Sequence, residues 1–181
     1  IQVGNSTAAV KEAKALYIKD PNNIYAIKIL AYAFIQVGNF EKVVEVLELG
    51  YKAETNNKDY DYFNNLGYAF LQLENFQKAI NYLLEAIKLR PQEVQAYISL
   101  ADALQKLKKF SEAELNINKA FQLASNNPQG FEIENNINLL LLKSEVNSAL
   151  GKDDETILLF NNLLNKTFNA DLFFLLSRIN P

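Results

Sequence analysis

The sequence predicts an all-α fold, a solenoid in which short antiparallel helix pairs stack one after another. The first observation is an internal repeat. The string IQVGN at residues 1–5 recurs unchanged at 35–39, and the same offset of 34 residues relates the block at 73–80 to the block at 107–114. The second observation is the helical spacing of apolar residues within each period. A single helix pair leaves an apolar face exposed, so repeated pairs must stack to bury it.

The period at residues 60–93 shows how one pair is built. The apolar residues of its first helix fall at i, i+3, i+4 and i+7, namely Phe63, Leu66, Gly67 and Phe70. A turn is predicted at residues 74–75, and the second helix has its apolar positions at Ala79, Ile80, Leu83, Ala86 and Ile87. Pro91 ends this helix, because proline cannot donate the backbone hydrogen bond that a continuing helix requires.

This pattern resembles the tetratricopeptide repeat, a helix–turn–helix unit of 34 residues. Eight residues of the 60–93 unit stand where that family prefers them: Phe63, Leu66, Gly67, Phe70, Ala79, Leu83, Ala86 and Pro91. The units at 24–57 and 94–127 also match, although Gly50 takes the place of the second alanine and Ser125 that of the proline. The resemblance implies a right-handed superhelical solenoid whose first helices form the inner, concave wall.

Small residues occupy one position of each first helix. Ala31, Gly67 and Ala101 stand where the two helices of a repeat are expected to approach most closely. We therefore predict that a larger side chain at Gly67 overpacks this contact.

The predicted domain organisation is a single solenoid over residues 1–181. Residues 1–21 form the second helix of a truncated repeat, and the three well-matched repeats follow. Residues 128–170 form a degenerate repeat, and residues 171–181 are either a capping helix or the first helix of another truncated repeat. Because the chain has no initial methionine and opens within a repeat, we predict that it is a fragment.

The degenerate repeat keeps its turn and second helix. Residues 150–160 align with the corresponding part of the 60–93 unit and place Thr156 where Ala79 stands. Counting back puts the start of the unit near Ile137, nine residues later than the period requires. We therefore predict a first helix lengthened at its N-terminus, from about Phe131 to Leu150.

The phase of this helix is left open. Its apolar stripe, made by Leu139, Leu142, Val146 and Ala149, is one residue out of phase with the family positions. Those positions fall instead on Lys143 and Ser144. Either the turn is shortened or the helix is rotated.

Composition excludes several kinds of chemistry. The chain has no His and no Cys, so it lacks the residues for a Ser-His-Asp triad, a thiol nucleophile or a cysteine zinc site. Asp153, Asp154 and Glu155 are interpreted as the favourable acidic start of a helix, and the lysines at 106, 108 and 109 as a solvated turn. With a net charge of −3, nucleic acid is not expected as a partner. We predict no enzyme activity, metal, cofactor or membrane insertion, and the compartment is not indicated.

The resemblance places the partner-binding residues on the concave face. They are Tyr25, Lys28, Tyr32, Gln36, Asp61, Asn64, Asn65, Tyr68, Gln72, Gln95, Asp102, Gln105 and Lys106. Tyrosine supplies rigid apolar area and amides can bond an exposed backbone, so this set suits a peptide or helix of another protein.

Two specialised versions of the family fit poorly. Members that hold a chaperone's C-terminal carboxylate need cations and amides at positions that here carry Lys28, Tyr32, Asn65, Gln95 and Ser99. Two of the five match, and the third helix offers no cation for a carboxylate. The asparagine ladder of some glycosyltransferase arrays fails as well, because the series reads Ile29, Asn65 and Ser99.

The predicted function is therefore a non-enzymatic protein–protein interaction scaffold that binds a peptide or helix in its concave groove. One alternative is an assembly module that self-associates through its terminal repeats. Another is the recognition arm of a longer enzyme. All three depend partly on family analogy, because fold alone does not determine function.

Overall fold

The computed structural model describes residues 3–50, 58–126, 136–165 and 170–179, and it confirms the all-α fold class. Within these ranges all regular structure is helical. The ten helices are α1 Val3–Lys19, α2 Ile24–Gln36, α3 Phe40–Gly50, α4 Tyr60–Gln72, α5 Phe76–Leu89, α6 Val94–Lys106, α7 Phe110–Asn126, α8 Ile137–Ala149, α9 Asp153–Leu164 and α10 Ala170–Ile179. They fall into two compact units, Ile1–Pro91 and Gln92–Pro181. None of the described helices combines the length and apolar composition that crossing a bilayer requires.

Asparagine and aspartate side chains set the starts of several helices. Asn23 accepts hydrogen bonds from the backbone N–H groups of the first turn of α2, and Asp59 does the same for α4. Asn75 caps α5, and Asn136 caps α8 by accepting from the Leu139 N–H at 2.9 Å. These caps satisfy donors that have no partner inside the helix.

The turns within the pairs α2–α3, α4–α5, α6–α7 and α8–α9 share one geometry. The same repeat position has a positive φ in each, between 57° and 71°, and is occupied by Gly38, Glu74, Lys108 and Gly151. The next residue donates its backbone N–H to the carbonyl five residues earlier, at 2.8 Å both from Asn75 to Phe70 and from Lys152 to Asn147. This is the Schellman arrangement that commonly ends helices.

The core of the first unit lies between consecutive helices. Ile27 on α2, Leu47 on α3, Leu66 on α4 and Leu83 on α5 are fully buried. A Cβ atom added to Gly67 would lie 2.6 Å from Cγ of Leu83, closer than packed atoms can approach. The prediction that Gly67 marks the close approach of two paired helices is confirmed.

The second unit has a comparable core and a helix that covers its end. Ala101 and Ala113 are fully buried in the α6–α7 pair. Beyond it, α8, α9 and α10 share an apolar cluster made by Leu140, Phe160, Leu163, Leu172 and Leu175. Helix α10 therefore buries apolar side chains against the α8–α9 pair.

The predicted start of α8 is wrong. We expected a helix lengthened to about Phe131, but α8 begins at Ile137 and has 13 residues, the same length as α2, α4 and α6. The physical reason is Asn136, whose non-helical backbone and capping side chain begin the helix there. The proposed extension over 131–135 lies outside the described residues.

The structure also resolves the phase of α8. Its turn to α9 is not shortened, because it carries the same hydrogen bond as the other turns. Instead, two neighbouring rows of side chains are buried. One row is apolar and contains Leu139, Leu142 and Val146, whereas Ala149 of the expected stripe is exposed. The other row, at the family positions, contains the polar residues Lys143 and Asn147.

Candidate functional site

Helix α2 presents an exposed aromatic face. Tyr25 and Tyr32 are 77% and 60% exposed, and Ile29 between them is also exposed. Gln36 continues the same face near the C-terminus of the helix, and Lys28 beside it is half-buried. Large apolar side chains at this spacing form one stripe along a helix.

Helix α4 contributes the neighbouring part of this surface in the first unit. Gln72 is exposed, and the other candidate residues of α4 are half-buried: Asp61, Asn64, Asn65 and Tyr68. The Tyr68 ring packs edge-on against Phe40, with ring centres 5.8 Å apart. The side-chain oxygen of Asn64 is buried and has no hydrogen-bond partner among the described residues. We call these residues of α2 and α4 the α2–α4 surface.

Lys28 joins the two helices of this surface. Its ammonium group donates to the carboxylate of Asp59 and, at 3.0 Å, to that of Asp61. Burial opposes the charge, but the hydrogen bonds and attraction to the two carboxylates outweigh it and raise the pKa of Lys28. Lys28 is therefore held by two aspartates, which argues further against a role in clamping a chaperone carboxylate.

Helix α6 carries the remaining candidate residues, in the second unit. Gln95 and Lys106 are exposed, while Asp102 and Gln105 are half-buried. Ser99, which the chaperone-binding pattern would require at the surface, is 3% exposed. This second departure separates α6 from that specialised pattern.

Helix α8 adds residues that sequence reasoning missed. Leu141, Ser144, Glu145 and Ser148 line a cavity of about 300 Å³ together with Asp153 of α9 and with Leu175 and Arg178 of α10. We call it the α8 cavity. Counting from Ile137, Leu141, Glu145 and Ser148 occupy the repeat positions used to select residues on α2, α4 and α6. The repeat positions counted from Ile137 therefore indicated these residues, but they were not selected because the phase of α8 was left open.

A hydrogen bond connects α6 with the α8 cavity. The amide nitrogen of Gln105 donates to the Glu145 carboxylate at 3.1 Å. Burial raises the pKa of Asp102; Lys106 opposes this shift and Glu145 adds to it. The side-chain oxygens Oε1 of Gln105 and Oδ1 of Asp153 are buried and accept no hydrogen bond from the described residues.

The described residues offer little for metal or acid–base chemistry. Among them, no group of three or more acidic side chains is arranged to hold a metal ion. The three acids at 153–155 occupy the first turn of α9, where carboxylates interact favourably with the helix dipole. The lysine run begins at Lys106, the last residue of α6, and Lys109 beyond the helix pairs with Glu112 at 3.4 Å.

Stacked helix pairs with exposed aromatic and amide side chains define a class, the helical-repeat scaffolds that bind other proteins. The family model "Tetratricopeptide repeat protein 21 forth ARM domain" matches residues 62–169, more than half of the chain. The chain belongs to this tetratricopeptide-repeat family. Proteins built from such repeats are generally non-enzymatic scaffolds.

Solved structures share the fold. MamA from Desulfovibrio magneticus RS-1 is 16% identical with a TM-score of 0.72, over 98% of this chain and 88% of that one. A thermophilic TPR protein of Thermus thermophilus is 16% identical with a TM-score of 0.71, over 98% and 91%. YrrB, a TPR protein with an unusual peptide-binding site, is 13% identical with a TM-score of 0.69, over 97% and 85%. No curated protein sequence matches this chain.

Proposed function

We propose that the protein is a non-enzymatic scaffold that binds a peptide or helical segment of a partner along the inner faces of its first helices. The observation that carries this proposal is the exposure of Tyr25 and Tyr32 on one face of α2. Tyrosine is enriched where proteins bind one another, because its ring offers rigid apolar area and its hydroxyl a hydrogen bond.

The polar residues beside these tyrosines support the same role. Asn64 has a buried oxygen without a donor among the described residues, and Gln36 and Gln72 are exposed. The backbone N–H groups of an extended peptide can donate hydrogen bonds to such oxygens. The peptide-binding site of YrrB indicates that a protein of this fold can bind a peptide.

The proposal is tested by selecting peptides from a random phage-displayed library with the full chain. Selected peptides are synthesised, and their Kd is measured by fluorescence polarisation. Tyr25→Ala combined with Tyr32→Ala should weaken binding by about thirtyfold or more, since truncating one aromatic hot spot costs about 2 kcal/mol or more. Helical content by circular dichroism should not change, because both side chains are exposed.

The matched control removes two exposed leucines from second helices, Leu115→Ala with Leu158→Ala. This variant loses similar apolar area away from the α2–α4 surface and should bind as the parent does. Failure to enrich any peptide, or unchanged binding by the double tyrosine variant, would refute the proposal.

Self-association is a second candidate, favoured by one observation. Phe173 and Phe174 on α10 are 61% and 63% exposed, and neighbouring exposed aromatics commonly mark an interface. Light scattering after size-exclusion chromatography tests it. A concentration-dependent dimer that Phe173→Ser with Phe174→Ser abolishes would support self-association, and a monomer at every concentration would exclude it for this chain.

A further inference from the structure

The α8 cavity combines charged and apolar side chains from three helices of the second unit. Its lining combines two carboxylates, Glu145 and Asp153, with one guanidinium, that of Arg178. Among the described residues no ion pair joins Arg178 to either carboxylate. The lining therefore has a net negative charge. On α6, Asp102 is close enough to sense Glu145, and Lys106 beside Asp102 offsets its charge.

Two buried acceptor atoms, one on Gln105 and one on Asp153, lie beside or within the cavity lining. Gln105 uses its amide nitrogen on Glu145, so its carbonyl oxygen remains, buried and without a donor among the described residues. The buried Oδ1 of Asp153 also has no donor among the described residues. Leaving buried acceptors without partners is costly, by about 1–3 kcal/mol each, unless a bound group supplies the missing donors. Asp153 is part of the lining, so an occupant of the cavity that brings N–H donors can reach it, whereas Gln105 contacts the lining through its hydrogen bond to Glu145.

The apolar part of the lining restricts the shape of that occupant. Leu141 of α8 and Leu175 of α10 provide hydrocarbon walls beside the carboxylates. Lysine and arginine side chains combine an apolar stem with a cationic head that carries several donors. Because Arg178 repels a second cation, the head is expected to lie towards Glu145 and Gln105 instead of α10.

We propose that the α8 cavity receives a lysine or arginine side chain of the partner segment, so that the scaffold prefers basic peptides. This inference rests on the proposed function, because it assumes that the scaffold binds a peptide. The occupant follows from charge complementarity, from the buried acceptor of Asp153 and from the apolar walls. It makes Glu145 a residue that determines specificity.

The experiment compares synthetic peptide pools on the immobilised full chain. Each pool has randomised flanks, blocked ends and one fixed central residue, which is arginine, lysine, citrulline or glutamate. Citrulline keeps the shape of arginine without its charge. The arginine and lysine pools should bind about tenfold more tightly than the citrulline and glutamate pools, as expected when a charge-assisted hydrogen bond is gained.

Three variants test whether the preference for a basic residue arises at the α8 cavity. Glu145→Gln should bring the arginine and citrulline pools to equal affinity, and Ser148→Phe, which fills the cavity from an exposed position, should do the same. Asp154→Asn removes the same charge one residue from the cavity lining and should leave the preference intact. Circular dichroism checks that each variant is folded.

The outcomes separate this inference from the proposed function. If no pool binds, the peptide-binding function itself is refuted. If all pools bind equally, or if Glu145→Gln and Ser148→Phe keep the preference for arginine, the α8 cavity is not a site for a basic side chain, while peptide binding stands.

Discussion

Gly67 is the residue where the packing of a helix pair is tightest. Gly67→Ala should lower the stability by about 1–3 kcal/mol, because the new Cβ atom would meet Leu83 at 2.6 Å and force the two helices apart. Thermal unfolding followed by circular dichroism would show the loss as a lower Tm.

Gly38 provides the matched control for that substitution. Nothing lies within 4 Å of a Cβ atom added there, and the equivalent positions carry Glu74 and Lys108 at similar positive φ. Gly38→Asn should therefore change the Tm much less, since asparagine tolerates left-handed geometry. An equal effect of the two substitutions would mean that close packing is not what makes Gly67 necessary.

Lys143 is a buried cation at a core position. Its side chain is 7% exposed, and its ammonium donates to Asn118 Oδ1 at 3.0 Å. Burial lowers the pKa of Lys143, although Glu114 and Glu155 favour the charged form. The equivalent residues of the other units are Leu30, Leu66 and Leu100, all buried.

We predict that Lys143→Met raises the stability at pH 7 by on the order of 1 kcal/mol, because a buried charge is replaced by an apolar chain of similar shape. In the parent protein the unfolded chain binds this proton more tightly than the folded one. Stability should therefore rise with pH between the lowered folded pKa and about 10.4, the ordinary value in an unfolded chain.

Urea denaturation at neutral and alkaline pH measures this difference. The Lys143→Met variant should lack the alkaline gain. Lys88→Met, at an exposed lysine on α5, should retain it. A lower stability of Lys143→Met at pH 7 would contradict the prediction.

At the scale of the element, the α8–α9 pair differs from the other pairs in its polar interior. Asn147 donates to the Thr156 hydroxyl at 2.9 Å, and both side chains are fully buried. The other pairs have Phe34, Phe70 or Leu104 at the first position, all buried. The Oδ1 atom of Asn147 has no hydrogen-bond partner among the described residues.

A double-mutant cycle tests the coupling of this pair. Asn147→Leu alone leaves the Thr156 hydroxyl without its side-chain partner and should cost about 1–3 kcal/mol. Adding Thr156→Ala should recover most of that loss, because the pair then resembles the apolar pairs of the other units. Free energies of unfolding from urea titrations give the coupling, and strictly additive effects would show that the hydrogen bond is energetically independent of its surroundings.

The same pair shows what the sequence could and could not predict about the fold. Apolar spacing and the period indicate where helices pair, because both are local properties of the chain. The phase of α8 could not be read in this way, since Lys143 and Asn147 are polar residues in buried positions. Their burial depends on partners such as Asn118 and Thr156, which only the folded chain brings near.

The candidate site was likewise only partly predictable from the sequence. Family positions led to the exposed Tyr25 and Tyr32, but they did not reveal that Lys28 is engaged by Asp59, which precedes α4 and lies outside those positions. Nor did they reveal the α8 cavity, whose walls come from three helices. Ion pairs and enclosed cavities depend on tertiary contacts, which local sequence patterns do not show.

At the scale of the whole molecule, stability should vary along the chain. In repeat proteins it is approximately the sum of each repeat and its neighbouring interfaces, so a weak repeat can open locally. The α8–α9 pair has polar residues at three core positions, Lys143, Asn147 and Thr156. We therefore expect its backbone amides to exchange with deuterium faster than those of α4 and α5.

Hydrogen–deuterium exchange followed by mass spectrometry measures this difference directly. Combining Lys143→Met with Asn147→Leu and Thr156→Ala should slow exchange in α8 and α9 and leave α4 and α5 unchanged. Uniform protection of the parent chain would show instead that it opens as one cooperative body.

The shared turn geometry has a consequence for biosynthesis. Each turn joins helices that are adjacent in the chain, so a complete pair such as α4 and α5 lies within residues 60–89. Contacts between residues so near in sequence form quickly, because little loop-closure entropy opposes them. Translation is slow by comparison, at about 5–20 residues per second. The α4–α5 pair can therefore form on the ribosome before α8 has been synthesised.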